Sequence, residues 1–114
     1  MEQLPDNVKA EILRMVRDLV HQPYHALADD GRAGRLSETE LRNAIDDYGH
    51  TLVEPPTDVW QVVDVYPHDG KRGEWAVDFP LWTEKEGRSD LTLAISVRES
   101  DGRGAVAVGD LHVL

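Results

Sequence analysis

The 114-residue chain contains no cysteine. A disulfide framework, a thiolate zinc site and a cysteine nucleophile are therefore excluded. Basic residues are also few: 12 lysines and arginines stand against 22 aspartates and glutamates, and the formal net charge is -10. Because such a chain repels a phosphate backbone, we expect no nucleic-acid binding.

Long apolar runs and familiar catalytic motifs are missing as well. A membrane-spanning helix needs about 20 consecutive apolar residues, and residues 1–7 carry two acids and no basic start of a secretory signal. We therefore expect no membrane association and a cytoplasmic location. The sequence has no Walker loop, no G-x-S-x-G elbow and no HExxH helix, so we expect neither a cofactor nor an enzyme of those classes.

Apolar residues recur at helical spacing in the first half of the chain. Val8, Ile12 and Val16 lie on one stripe of a predicted helix that starts near Asp6 and that Pro23 should end or kink. A second helix is predicted from Ser37, which forms a capping box with Glu40, to Gly49, which suits a left-handed C-terminal position.

After Pro55 and Pro56, apolar residues alternate and predict four strands, at 59–66, 74–82, 90–98 and 104–114. Short polar turns join the strands, which favours an antiparallel meander. We expect a single α+β domain over 1–114, in which two helices from residues 1–54 pack on one face of a sheet formed by residues 57–114. A cystatin-like or nuclear-transport-factor-like cone has this shape. Pro80 predicts a sheet edge or a bulge.

Two segments carry partial metal-site patterns. In the loop 29–40, Asp29 and Glu40 match the first and last ligands of a calcium loop, but positions three and five are Gly31 and Ala33, which offer no side-chain oxygen. A helix connection capped by Ser37 explains the loop better. His21 and His25 are four residues apart, but Pro23 interrupts them and no third ligand is evident. We therefore expect no metal site.

Residues 78–93 form the most distinctive stretch. Trp82 should lie at a strand end, and the following turn carries four charged residues that we predict as partner contacts together with Trp82: Glu84, Glu86, Arg88 and Asp90. An exposed tryptophan beside arginine is typical of a binding hot spot. The alternative is a hairpin held by a pair between Arg88 and a carboxylate, with Trp82 covering the core.

A second candidate site depends on the register of the strands. Asp78, Asp110 and His112 could share one sheet face with Thr92 and Ser96 and form a polar pocket floor or an acid–base pair. The facing of the last strand is open, because strict alternation leaves the side of Asp110 and His112 undecided. The alternative is that His112 is a structural residue.

Three stretches resemble an uncharacterised family of short bacterial proteins. They are DFPLWTEKEGRSDLTL at 78–93, GDLHVL at 109–114 and AIDDYGHTL at 44–52. The resemblance implies a stand-alone bacterial cytosolic domain and assigns no functional residue.

Three functions remain open. The acidity favours a non-enzymatic binding module for a protein, such as an immunity protein that neutralises a basic toxin. The alternative is a small-molecule-binding or enzymatic cone with a pocket between helices and sheet. A third is a homodimer formed through the uncovered sheet face, where Trp60, Trp75 and Trp82 would supply aromatic surface.

Overall fold

The fold combines helices with an antiparallel sheet, as predicted. The computed structural model describes residues 4–21, 37–67, 73–100 and 103–113. Within them lie two α-helices and five strands: α1 (Asp6–Val20), α2 (Glu38–Tyr48), β1 (Leu52–Val53), β2 (Asp64–Pro67), β3 (Glu74–Thr83), β4 (Gly87–Ser100) and β5 (Arg103–Val113). Every paired strand is antiparallel, so the α+β prediction is confirmed.

Both helices form where their local signals place them. Helix α1 begins at Asp6 and buries the predicted apolar stripe. Helix α2 begins with the predicted capping box: the Glu40 backbone N–H donates to Ser37 Oγ over 3.0 Å, and the Ser37 N–H donates to Glu40 Oε1 over 3.1 Å. Gly49 closes it with φ of 83°. Pro23 and residues 29–36 of the calcium-like loop lie outside the described residues. No described helix is long and apolar enough to span a membrane.

Strand β3 lies at the centre of the sheet. It pairs with β4 on one side, while on the other side β1 pairs with its C-terminal end and β2 with its N-terminal half. Strand β5 follows β4 and forms the far edge. The prediction missed β1, which belongs to the segment expected to be helical and has only two residues.

The strand predicted at 59–66 is wrong in its first half. Val59–Gln61 is a 3-10 helix, and β2 starts at Asp64. The Val59 N–H donates to the Pro56 carbonyl over 3.1 Å, and the Trp60 ring meets Phe79 edge to face at 5.8 Å. Tertiary packing therefore overrides the β-branched composition.

Two irregularities shape the sheet. The register shifts between Pro80 and Trp82, so the predicted bulge is confirmed. There the buried Ser89 hydroxyl donates to the Leu81 carbonyl over 2.8 Å, which satisfies a backbone group freed from the ladder. The second shift lies at Ala94 and Ile95, opposite Gly109. It leaves Gly109 as an extra residue in β5.

The Gly109 bulge decides which side chains of β5 face the core. Val108 pairs with Ile95 and Leu111 pairs with Leu93, so both apolar residues face the helices. Asp110 and His112 consequently lie on the opposite face. A strictly alternating pattern therefore does not describe β5, whichever face it assigns to Asp110 and His112.

One core joins the helices to the inner face of the sheet. Its largest fully buried side chain is Phe79. Trp75 is buried on this side, and Trp60 packs half-buried against the same core. Of the three tryptophans expected to supply aromatic surface for self-association, Trp82 is the one on the face turned away from the helices.

Candidate functional site on the outer face of the sheet

The outer face, meaning the face of β2 to β5 turned away from the helices, carries three aligned aspartates. Asp64 pairs with Asp78, Asp78 pairs with Ala94, and Ala94 pairs with Asp110. Adjacent strands are about 4.8 Å apart, so Asp78 and Asp110 are about 10 Å apart and Asp64 directly faces Asp78. We call Asp64, Asp78 and Asp110 the acidic row.

Few positive charges of the described residues lie close enough to neutralise the acidic row. Like charges directly opposite each other in a sheet are destabilising, and within the described residues neither Asp64 nor Asp78 lies within ion-pair distance of a cation. Tyr66 lies two residues after Asp64 and is 50% exposed, and the negative charge of the row affects the pKa of its phenol. The Asp64 carboxylate, with smaller effects from desolvation and from Asp78, raises the pKa of the Tyr66 phenol.

His112 lies beside the last member of the row. Its Nδ1 is 3.1 Å from Asp110 Oδ2, but this buried nitrogen makes no hydrogen bond of good geometry with the described residues. Thr92, directly across from His112, is buried, and its hydroxyl donates to the Asp90 carbonyl over 3.3 Å. The Thr92 hydroxyl is therefore engaged with the backbone of its own strand.

The register brings Asp78, Asp110 and His112 to one face, which the sequence left open. They do not line a pocket between helices and sheet, because the described helices pack on the opposite face of the sheet. A cleft of about 400 Å³ does lie at the ends of both helices, and its described lining includes Leu19, Ile45, Asp46, His50 and Leu52.

Trp82 and Arg88 also share the outer face. They are paired across β3 and β4, and Asp90 follows Arg88 on the same side of the strand. Trp82 is half-buried against the core, whereas Arg88 and Asp90 are exposed. The alternative of a pair between Arg88 and a carboxylate is not found among the described residues. Glu84 is exposed in the turn and its backbone N–H donates to the Thr51 carbonyl over 2.9 Å.

Glu86 differs from the other predicted contacts because its carboxylate already accepts hydrogen bonds from side chains of the same protein. The Tyr48 hydroxyl donates to Glu86 Oε1 over 2.9 Å, and Thr83 Oγ1 donates to the same oxygen over 3.2 Å. His50 Nε2 lies 3.8 Å away. The Tyr48 oxygen also accepts from the Asp90 N–H over 3.3 Å. Glu86 therefore fixes the β3–β4 turn to the end of α2.

Small side chains separate the charged groups of the outer face. Ala76, Ser96 and Ala107 form the row next to the acidic row, beside Tyr66. A partner can approach the backbone closely there. Sequence reasoning missed this feature, although the small residues at every second position of β4 and β5 were its signal.

The described residues hold no group of three or more histidine, aspartate or glutamate side chains arranged for a metal ion. His21 Nε2 lies 3.4 Å from Glu54 Oε2, and the Arg17 Nε–H donates to the other oxygen of this carboxylate over 3.0 Å. His25 lies outside the described residues.

A family model described as "Domain of unknown function (DUF7668)" matches residues 16–114. No curated protein and no solved structure matches the chain.

Proposed function

This chain belongs to the DUF7668 family, a domain of unknown function, and we propose that it is a non-enzymatic module that binds a basic protein through the outer face of its sheet. One observation carries the proposal. Three aspartates stand in register on a face that no described helix covers, and two of them directly oppose each other without a neighbouring cation among the described residues.

The electrostatics give a reason for binding. Arginine or lysine side chains of a partner would neutralise carboxylates that repel each other in the free protein. The net charge of -10 would also attract a cationic partner over a distance and speed the encounter. Of the residues predicted at the turn, Trp82, Glu84, Arg88 and Asp90 extend this surface, with Trp82 as its aromatic anchor.

An immunity protein is the concrete form of this proposal. Its acidic face would cover the cationic active site of a toxin such as a nuclease. The proposal includes a bacterial cytoplasmic setting, since a chain without cysteine gains nothing from an oxidising compartment. The basic product of a neighbouring gene is the first natural partner to test, by measuring whether the purified chain suppresses its toxicity.

A defined probe tests the surface itself. A fluorescent decapeptide that alternates lysine and valine is titrated into the wild-type protein, into Asp64→Asn/Asp78→Asn and into the matched control Asp47→Asn/Asp58→Asn, whose exposed aspartates lie outside the sheet. Surface pairs contribute about 0.2–1 kcal/mol each. We therefore expect the outer-face variant to bind several-fold more weakly and the control to stay within about twofold of wild type. Equal losses in both variants would show unspecific charge attraction and contradict the proposal.

The cleft of about 400 Å³ favours a second candidate function, the binding of a small molecule. Leu19, Ile45 and Leu52 at its base are almost fully buried, and its accessible lining is mainly polar and includes Asp46 and His50, which suits a small polar ligand with a cationic or donor group. A fragment screen followed by backbone NMR tests this candidate. Shift changes confined to the cleft and abolished by Thr51→Trp would support it, and no localised change would remove it.

A further inference from the structure

Strand β5 forms an edge of the sheet that has little protection against pairing with another strand. It pairs with β4 on one side, and within the described residues no strand pairs with its other side. The six residues 104–109, GAVAVG, carry no charge and no proline. Exposed edges of natural proteins are usually protected by lysine, proline, bulges or short length. Here the Gly109 bulge lies at one end of this stretch, and no strand of the described residues covers the remainder.

The acidic row ends at the same edge. It crosses β2, β3 and β4 and finishes on β5 at Asp110. A strand added beside β5 would extend the row by one position, so that one of its side chains would stand directly across from Asp110 on the outer face. Opposite charges at such a cross-strand position are favourable.

We propose that an extended basic segment of the partner adds to the open edge of β5 as a further strand. Backbone hydrogen bonds along 104–108 would provide the affinity, and a lysine or arginine facing Asp110 would provide the specificity. The charge favours a basic segment over a second copy of this chain, because each copy carries a net charge of -10. The inference rests on the proposed function, since it specifies how the basic partner docks.

Two peptides separate strand addition from simple charge attraction. One is the alternating lysine–valine decapeptide, and the other has the same sequence with its six central residues N-methylated, which retains the charge and removes the backbone donors. We expect the unmodified peptide to bind at least tenfold more tightly. It should also slow hydrogen exchange at alternate amides of 104–108 in the NMR spectrum of the full chain, without a comparable effect in β2.

A variant tests the specificity. Asp110→Asn should weaken binding of the unmodified peptide about threefold, whereas the control Asp47→Asn on α2 should leave it unchanged. A loss confined to the Asp110 variant supports the proposed pairing, and equal binding by both variants overturns it.

The remaining outcomes are distinguishable. If both peptides bind equally well, the edge inference is overturned and the proposed function stands. If neither peptide binds, both fail. If the free chain sediments as a dimer with the amides of 104–108 already protected, a second copy occupies the edge and the inference is overturned.

Discussion

Asp64 and Asp78 face each other across β2 and β3 without a described cation beside them. Such a pair lowers stability by a modest amount. The neighbouring Tyr66 phenol senses both carboxylates. At the scale of single residues, Asp64 and Asp78 are therefore negative charges that no cation of the described residues neutralises.

The Tyr66 phenol gives a direct readout of that charge. Its pKa lies above the ordinary value of 10.0, with Asp64 as the largest cause. Asp64→Asn should therefore move the pKa toward 10.0, and Asp78→Asn should move it less. Because the folded state holds this proton more strongly than the unfolded state, its contribution to stability declines as pH rises above 10.0 in the wild type, and this decline should be smaller in Asp64→Asn. Titration of the Tyr66 ring signals by NMR measures both shifts.

The same pair affects stability at neutral pH. Asp64→Asn removes a like-charge cross-strand contact and should raise the free energy of unfolding by about 0.2–1 kcal/mol. The gain should shrink at high salt, because salt screens exposed charges. Urea denaturation at low and high ionic strength measures it, with Asp47→Asn as the control. A loss of stability in Asp64→Asn would mean that the carboxylate has a structural partner.

At the scale of elements, turns and bulges set the positions of the strands. Gly73 leads into β3 with φ of 80°, and a Cβ placed on it would lie 2.7 Å from the Glu99 carbonyl oxygen. Gly87, in the β3–β4 turn, has φ of 71° with nothing within 4 Å of such a Cβ. The two glycines therefore differ in crowding while sharing a left-handed conformation.

This contrast gives a matched pair of variants. Gly87→Ala should cost about 1 kcal/mol, the penalty of a left-handed conformation alone. Gly73→Ala should cost about 2–3 kcal/mol, because the backbone of Glu99 must move as well. Thermal or urea unfolding of both variants measures the difference. Equal costs would show that the Glu99 backbone moves away from the new Cβ at little energetic cost.

At the scale of the whole molecule, the excess of acidic residues should govern association. Raising the ionic strength from about 0.01 M to about 1 M shortens the Debye length from about 30 Å to about 3 Å. Binding of the lysine–valine decapeptide should weaken at least tenfold over this range, chiefly through a slower association rate. Stopped-flow fluorescence measures that rate, and salt-independent binding would indicate an apolar contact instead.

Local physical chemistry determined much of this fold. Helical spacing fixed the stripe of α1, the pairing of Ser37 with Glu40 fixed the start of α2, and the missing N–H of Pro80 located a bulge. Alternation located β3, β4 and β5, and the order of helices and strands determined the α+β class. Each signal acts over a few residues, so the sequence alone expresses it.

Tertiary structure decided the candidate site. The acidic row exists because β2 to β5 pair in one particular register, and Asp110 joins it because Gly109 bulges out of β5. Glu86 was expected on a binding surface, but Tyr48, 38 residues away, holds its carboxylate. Register and long-range hydrogen bonds depend on how distant segments pack, since a shift of one residue exchanges the two faces of a strand. Composition alone established that the chain is acidic, and only folding determined where that charge is concentrated.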